Sequence, residues 1–70
     1  MKSIHSPMAG TVWKIVKAVG DAVDYGDTVA ILESMKMEIP VEADSAGTIV
    51  RVLVKEGEVV DDGVAMVELS

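Results

Sequence analysis

Apolar residues along the chain form short runs that are rich in Val, Ile and Thr. Most of these runs are closed by a glycine, which is the boundary pattern of β-strands, and helical periodicity is poor throughout. The runs predict strands at residues 11–16, 21–24, 28–32, 48–54, 58–61 and 64–69. We therefore expect an all-β protein.

The second half of the chain repeats the first. Ala9-Gly10-Thr11 recurs as Ala46-Gly47-Thr48, an offset of 37 residues that also relates Gly20 to Gly57 and Gly26 to Gly63. Glycines in register indicate shared turns, because glycine marks positions of positive φ or close backbone approach. Two such units, related by a pseudo-twofold axis, pack most economically as two antiparallel sheets or one flattened barrel, since closure removes exposed strand edges.

Side-chain alternation is irregular in the first predicted strand. Val12 and Val16 share one face with Lys14, whereas Trp13 and Ile15 share the other. The sequence does not decide which face holds Trp13. We interpret Trp13 as a packing residue rather than a ligand-binding one.

Residues 31–41 consist of two apolar flanks around a polar centre, which predicts a hairpin with its tip near Met35 and Lys36. Tight hairpin turns favour Asn-Gly, Asp-Gly or a single Gly, because they require positive φ. This tip offers Met, Lys and Met instead, although the chain places glycines at its other turns. A local rule that fails in an otherwise consistent chain marks a candidate functional site.

Lys36 is a poor candidate for a catalyst and a good one for modification. An exposed amine is mostly protonated and unreactive by itself. Met35 and Met37 carry flexible, polarizable side chains that would make apolar contacts with a modifying enzyme. Acylation of Lys36 would leave a long neutral arm, which could carry a bound group between two active sites at high effective concentration.

Length, charge and composition exclude several classes of function. The chain has 70 residues, a net charge of -6 and no cysteine. We expect residues 1–70 to form a single domain, located in the cytosol and too small to be a self-sufficient enzyme. An acidic chain with one Trp, one Tyr and no Phe lacks the features that bind nucleic acid. No apolar run approaches the ~20 residues that span a bilayer, so neither a signal peptide nor a membrane segment is expected.

Other polar residues have simpler interpretations. His5 beside Ser6 lacks the further members of a hydrolytic site, and we interpret His5 as a surface or edge residue. Four acids, whose spacing matches no calcium loop, are interpreted as solvated turn residues. They are Asp24, Asp27, Asp61 and Asp62. Glu33 and Glu38 are expected to be weak ion-pair partners at most.

The segment from Glu33 to Met37 closely resembles the biotin attachment sequence, usually Glu-Ala-Met-Lys-Met, of the biotinyl domains of biotin-dependent carboxylases. The run from Pro7 to Val12 resembles the Pro-Met-x-Gly-x-Val sequence of the same domains. The glycine turns are also similar, and the resemblance extends over residues 4–67. Ser34 stands where Ala is commoner in the family.

This resemblance implies a flattened barrel sandwich of two four-stranded antiparallel sheets. It also implies that a biotin protein ligase attaches biotin covalently to Lys36, with Met35 and Met37 as flanking recognition residues. The biotin would carry carboxylate between biotin carboxylase and carboxyltransferase subunits. On this basis the chain is expected to be a monomeric carrier rather than an enzyme, without nucleic-acid or membrane partners.

Two alternatives remain open. The first alternative is that lipoate is attached to Lys36, because lipoyl domains have a similar fold and a similar internal repeat. Their lysine, however, typically lies in the sequence Asp-Lys-Ala. The second is an enzyme that forms a Schiff base through Lys36, which would require a desolvated lysine.

Overall fold

The computed structural model describes residues 2–70, and the regular structure in that range consists of strands. They are β1 (Lys2–His5), β2 (Gly10–Ile15), β3 (Ala22–Val23), β4 (Thr28–Ser34), β5 (Met37–Glu42), β6 (Gly47–Val52), β7 (Val59–Val60) and β8 (Ala65–Leu69). One sheet has the order β1-β8-β6-β3 and the other β5-β4-β2-β7. All paired strands are antiparallel, so the predicted pair of four-stranded antiparallel sheets is confirmed.

The internal repeat is visible as a pseudo-twofold relation. The 37-residue offset converts β1–β4 into β5–β8 and one sheet order into the other. Hydrogen bonds follow it as well: the Gly20 N–H donates to the Ile49 carbonyl at 2.8 Å, and the Gly57 N–H donates to the Val12 carbonyl at 2.7 Å. Each sheet contains strands of both halves, so the halves share one core.

A β-bulge accounts for the irregular alternation in β2. Val12 pairs with Leu32 and Lys14 pairs with Ile31, so Trp13 is an extra residue between them. Because a bulge shifts the alternation of side chains, Val12 points into the core while Trp13 is 48% exposed. Trp13 therefore lies outside the core between the sheets, with about half of its surface covered.

The core between the sheets is aliphatic apart from Met66. Its fully buried large side chains are Ile4, Val12, Val29, Leu32, Val41, Ile49, Met66, Val67 and Leu69. Both halves and both sheets contribute to this set. Each such side chain stabilises the fold by about 1.5–3 kcal/mol relative to an exposed one.

Strand β5 lies at a sheet edge and carries residues that disfavour pairing with another strand. Pro40 has no N–H to donate, and exposed carboxylates stand on either side of it at Glu38 and Glu42. Proline and charge on an edge strand oppose association between sheets. The polar hairpin thus leads into an edge strand, β5, whose residues oppose pairing with a further strand.

His5 is exposed on edge strand β1, in agreement with its interpretation as an edge residue. Ser6 is buried, and its hydroxyl donates a hydrogen bond to the Met8 carbonyl. From residue 2 to residue 70, no helix is long and apolar enough to span a bilayer.

Candidate functional site

The hairpin between β4 and β5 turns through two residues. Ser34 pairs with Met37, which leaves Met35 and Lys36 as the connection. Both have positive φ, at 52° for Met35 and 65° for Lys36. Positive φ at both central residues is the geometry of a type I′ turn, the tight turn whose twist matches that of the flanking strands. The structure places the tip where the sequence predicts it.

This turn is strained by its side chains. Met35 and Lys36 are the non-glycine residues with positive φ in the described range, 2–70. The left-handed conformation costs an L-amino acid about 1–2 kcal/mol. The turn is held in place because β4 and β5 pair along their whole length. This pairing runs from Thr28 and Glu42 to Ser34 and Met37. Such strain persists where the surrounding structure enforces it, which is common at functional positions.

The side chains at the tip extend into solvent. Met35 is 91% exposed, Met37 is 62% exposed, and Lys36 is also exposed. Leu32, two positions before Ser34 on β4, is fully buried and anchors the hairpin in the core. The Lys36 amine is therefore carried on a supported projection, where an acyl group can be attached to it without disturbing the core.

Gly10 lets the hairpin lie close to strand β2. A Cβ atom at position 10 would lie 3.0 Å from the Glu33 carbonyl oxygen and 3.6 Å from the Ser34 Cβ atom. Sequence reasoning treated Gly10 as a strand boundary and missed this contact. Its recurrence as Gly47 was the available signal, because a Cβ there would lie 2.8 Å from the Ser70 carbonyl oxygen.

Two carboxylates face each other beside the tip. Glu33 on β4 pairs directly with Glu38 on β5, and both side chains are exposed. Like charges in directly opposite positions of a sheet are destabilising. The salt bridge in the described part of the chain joins Arg51 and Glu68, so Glu33 and Glu38 form none with Lys36. The hairpin thus carries a negative face next to its amine.

The other acids interpreted as turn residues stabilise turns or lie exposed beside them. The Asp27 carboxylate accepts a hydrogen bond from the Asp24 N–H at 2.9 Å. Asp61 and Asp62 are exposed and are the first two residues of the turn that contains Gly63. Across residues 2–70, no three His, Asp or Glu side chains are grouped so as to hold a metal ion.

Comparisons with known proteins agree with this arrangement. A family model described as "Biotin-requiring enzyme" matches residues 2–69. The biotin/lipoyl attachment protein of Bacillus subtilis (strain 168) is 51% identical over 68 residues, which cover 97% of this chain and 93% of that protein. The biotin carboxyl carrier protein of acetyl-CoA carboxylase from Pyropia yezoensis is 40% identical over 75 residues, covering 97% of this chain and 48% of that protein.

A solved structure has the same fold. The urea carboxylase of Kluyveromyces lactis superposes with a TM-score of 0.91 and 38% identity, over 99% of this chain and 6% of that chain. The chain therefore spans nearly all of the Bacillus relative, about half of the Pyropia relative and a small part of the carboxylase.

Proposed function

Because the chain belongs to the biotin/lipoyl attachment family, we propose that it is a biotin carrier domain and that biotin is attached to Lys36. One observation carries the choice of residue: Lys36 is exposed at the apex of a two-residue hairpin turn that holds it at positive φ. Neither central residue of that turn is a glycine, so Lys36 occupies its position at a conformational cost.

The residues at the tip fit covalent biotin. An amide between the biotin carboxyl group and an amine needs a primary amine that a ligase can reach, and the exposed Lys36 provides one. The exposed thioethers of Met35 and Met37 provide apolar contact on both sides of that amine. The amide removes the lysine charge and lengthens the side chain into a flexible arm.

We propose the role of a carrier and not of a catalyst. A Schiff-base lysine must be desolvated to be a nucleophile at neutral pH, whereas Lys36 lies in solvent. Biotin, when bound, accepts a carboxylate and passes it on. The domain itself holds the amide out on a stiff hairpin, so that one tethered group reaches two sites at high effective concentration.

The proposed partners follow from this role. A biotin protein ligase would load Lys36, and biotin carboxylase and carboxyltransferase subunits would use the loaded arm. The negative face formed by Glu33 and Glu38 is suited to a partner surface with basic residues, because complementary charge accelerates encounter.

The test is enzymatic loading of the purified protein. Incubation with biotin, ATP and a biotin protein ligase should add one biotinyl group, seen by intact mass, and tandem sequencing should place it on Lys36. Lys36→Arg should abolish the addition and change the free energy of unfolding by less than about 0.5 kcal/mol, since the side chain is exposed.

Lys55→Arg is the matched control, because Lys55 is also an exposed lysine next to a turn. It should be loaded like the unmodified sequence. A parallel incubation with lipoate and a lipoate ligase separates the two cofactors, since the name of the Bacillus relative includes both. Loading of Lys36→Arg at the normal rate, or loading by lipoate alone, would contradict the proposal.

A further inference from the structure

The four methionines between residues 2 and 70 divide sharply by exposure. Met35 is 91% exposed and Met37 is 62% exposed, on either side of Lys36. Met66 is fully buried in the core, and Met8 is partly buried against it. Among residues 2–70, the two thioethers that oxidants in solution reach most readily are therefore the two that flank the candidate attachment site.

The geometry of the hairpin keeps these thioethers in solvent. Met35 occupies the first central position of the turn, at φ 52°, and Met37 is the first residue of β5, paired with Ser34. Neither side chain belongs to the core, whose residues on these two strands are Val29, Ala30, Leu32 and Val41. A lysine that must enter a partner's pocket therefore carries two oxidisable neighbours with it.

We propose that Met35 and Met37 are sites of oxidation by hydroperoxides and that their oxidation blocks recognition of Lys36 by the enzyme that modifies it. This inference rests on the proposed function of Lys36. In the reaction, the thioether sulfur attacks the peroxide, the O–O bond breaks and an S–O bond forms. The sulfur loses two electrons to become a sulfoxide, and the hydroperoxide is reduced to an alcohol or, from hydrogen peroxide, to water.

Oxidation would change recognition without changing the fold. A sulfoxide is polar and chiral, so it cannot give the apolar contact that a thioether gives. The core contains neither Met35 nor Met37, so its packing stays intact. Methionine sulfoxide is reversible by reductases, one for each epimer. The hairpin would therefore respond reversibly to oxidants.

The experiment treats the apo protein with hydrogen peroxide and follows two readouts. Peptide mass mapping should find oxygen added at Met35 and Met37 well before Met66, which serves as the internal buried control. The initial rate of biotin loading by the ligase should then fall about tenfold, as expected when the burial of one apolar side chain is lost. Thermal unfolding of the treated protein should be unchanged.

Matched variants separate oxidation at the tip from other damage. In Met35→Leu with Met37→Leu, treated and untreated protein should load at the same rate, and methionine sulfoxide reductases should restore loading of the treated original protein. If the leucine variant loads too slowly to measure, protein made with norleucine in place of methionine replaces it.

Equal loading rates of treated and untreated protein would overturn the inference, as would oxidation of Met66 as fast as Met35. Failure of the reductases to restore loading would also overturn it. Untreated protein that takes no biotin would instead overturn the proposed function, while the peptide map would still decide whether Met35 and Met37 are the oxidation sites.

Discussion

Two kinds of turn in this molecule reach positive φ by different means. Four turns use glycine, with φ values of 95°, 88°, 91° and 85° at Gly20, Gly26, Gly57 and Gly63. The hairpin between β4 and β5 reaches positive φ twice in succession and uses Met35 and Lys36. Glycine adopts such angles without steric cost, whereas each of these two side chains adds about 1–2 kcal/mol of strain.

This difference separates turns that shape the fold from the one that presents side chains. At each glycine turn an added Cβ would meet nothing within 4 Å, so the glycines serve the backbone angle alone. At the hairpin, a sequence such as Asn-Gly would fold more easily but would remove the amine. The strain is therefore evidence that the side chains at the tip are used.

The pseudo-twofold relation shows where the two halves stop being alike. The 37-residue offset relates Glu33, just before the hairpin, to Ser70, and both carbonyl oxygens lie beside a glycine of the adjacent strand. The hairpin that follows Glu33 joins β4, the last strand of the first unit, to β5, the first strand of the second unit. The candidate site lies at the one place where the repeat connects its two units.

The glycine turns give the largest expected effect. Gly20→Ala with Gly57→Ala should lower the free energy of unfolding by about 3 kcal/mol, because both residues must then adopt left-handed φ with a Cβ. Urea denaturation would measure the loss. Gly20→Asn with Gly57→Asn is the control and should recover part of it, since asparagine tolerates this region. A loss below about 0.5 kcal/mol would show that positive φ is not what these turns require.

The hairpin should respond in the opposite direction. Met35→Asn with Lys36→Gly should raise the free energy of unfolding by about 2 kcal/mol, because Asn-Gly is the preferred type I′ pair. Urea denaturation measures this gain, and the same variant should accept no biotin.

Met35→Asn alone separates stability from function. It should gain about 1 kcal/mol and still be loaded at Lys36, although more slowly because one apolar contact is lost. Lys36→Ala is the control for losing the amine without relieving the strain. If the double variant were no more stable than the original protein, Met35 and Lys36 would not be strained.

Both kinds of turn could be predicted from the sequence. Repeated glycines indicated the turns and the pseudo-twofold relation, because glycine's requirement for positive φ is a local property. The tip at Met35 and Lys36 stood out because the expected turn residues were missing there. The match to the "Biotin-requiring enzyme" family over residues 2–69 confirms the resemblance that these residues suggested.

Features that depend on how strands pair could be predicted only in part. The bulge at Trp13 exists because Val12 and Lys14 pair with neighbouring residues of β4. The irregular alternation in β2 was a local sign of it, but the position of the bulge depends on the register with the partner strand. The close approach of Gly10 to the hairpin also depends on strand pairing; the recurrence of this glycine as Gly47 marked the position but not its neighbour. The facing of Glu33 and Glu38 follows from the register of β4 and β5, which is fixed once the turn is limited to Met35 and Lys36.

The smallest expected effect concerns charge on the two sheets. Glu38→Gln removes the repulsion from Glu33 and should stabilise the protein by about 0.5 kcal/mol at low salt. On the other sheet, Arg51→Gln removes the 3.5 Å ion pair with Glu68 and should destabilise by no more than about 0.5 kcal/mol, because the Arg51 side chain is 66% exposed.

Glu42→Gln is the matched control for the general effect of removing one negative charge. Glu42 lies on the same edge strand as Glu38 but faces Thr28, so its replacement should stabilise less than Glu38→Gln. Chemical denaturation by urea at low and high ionic strength measures all three variants, and salt should reduce each difference. Equal gains from Glu38→Gln and Glu42→Gln would mean that net charge, and not the facing pair beside the tip, sets this contribution.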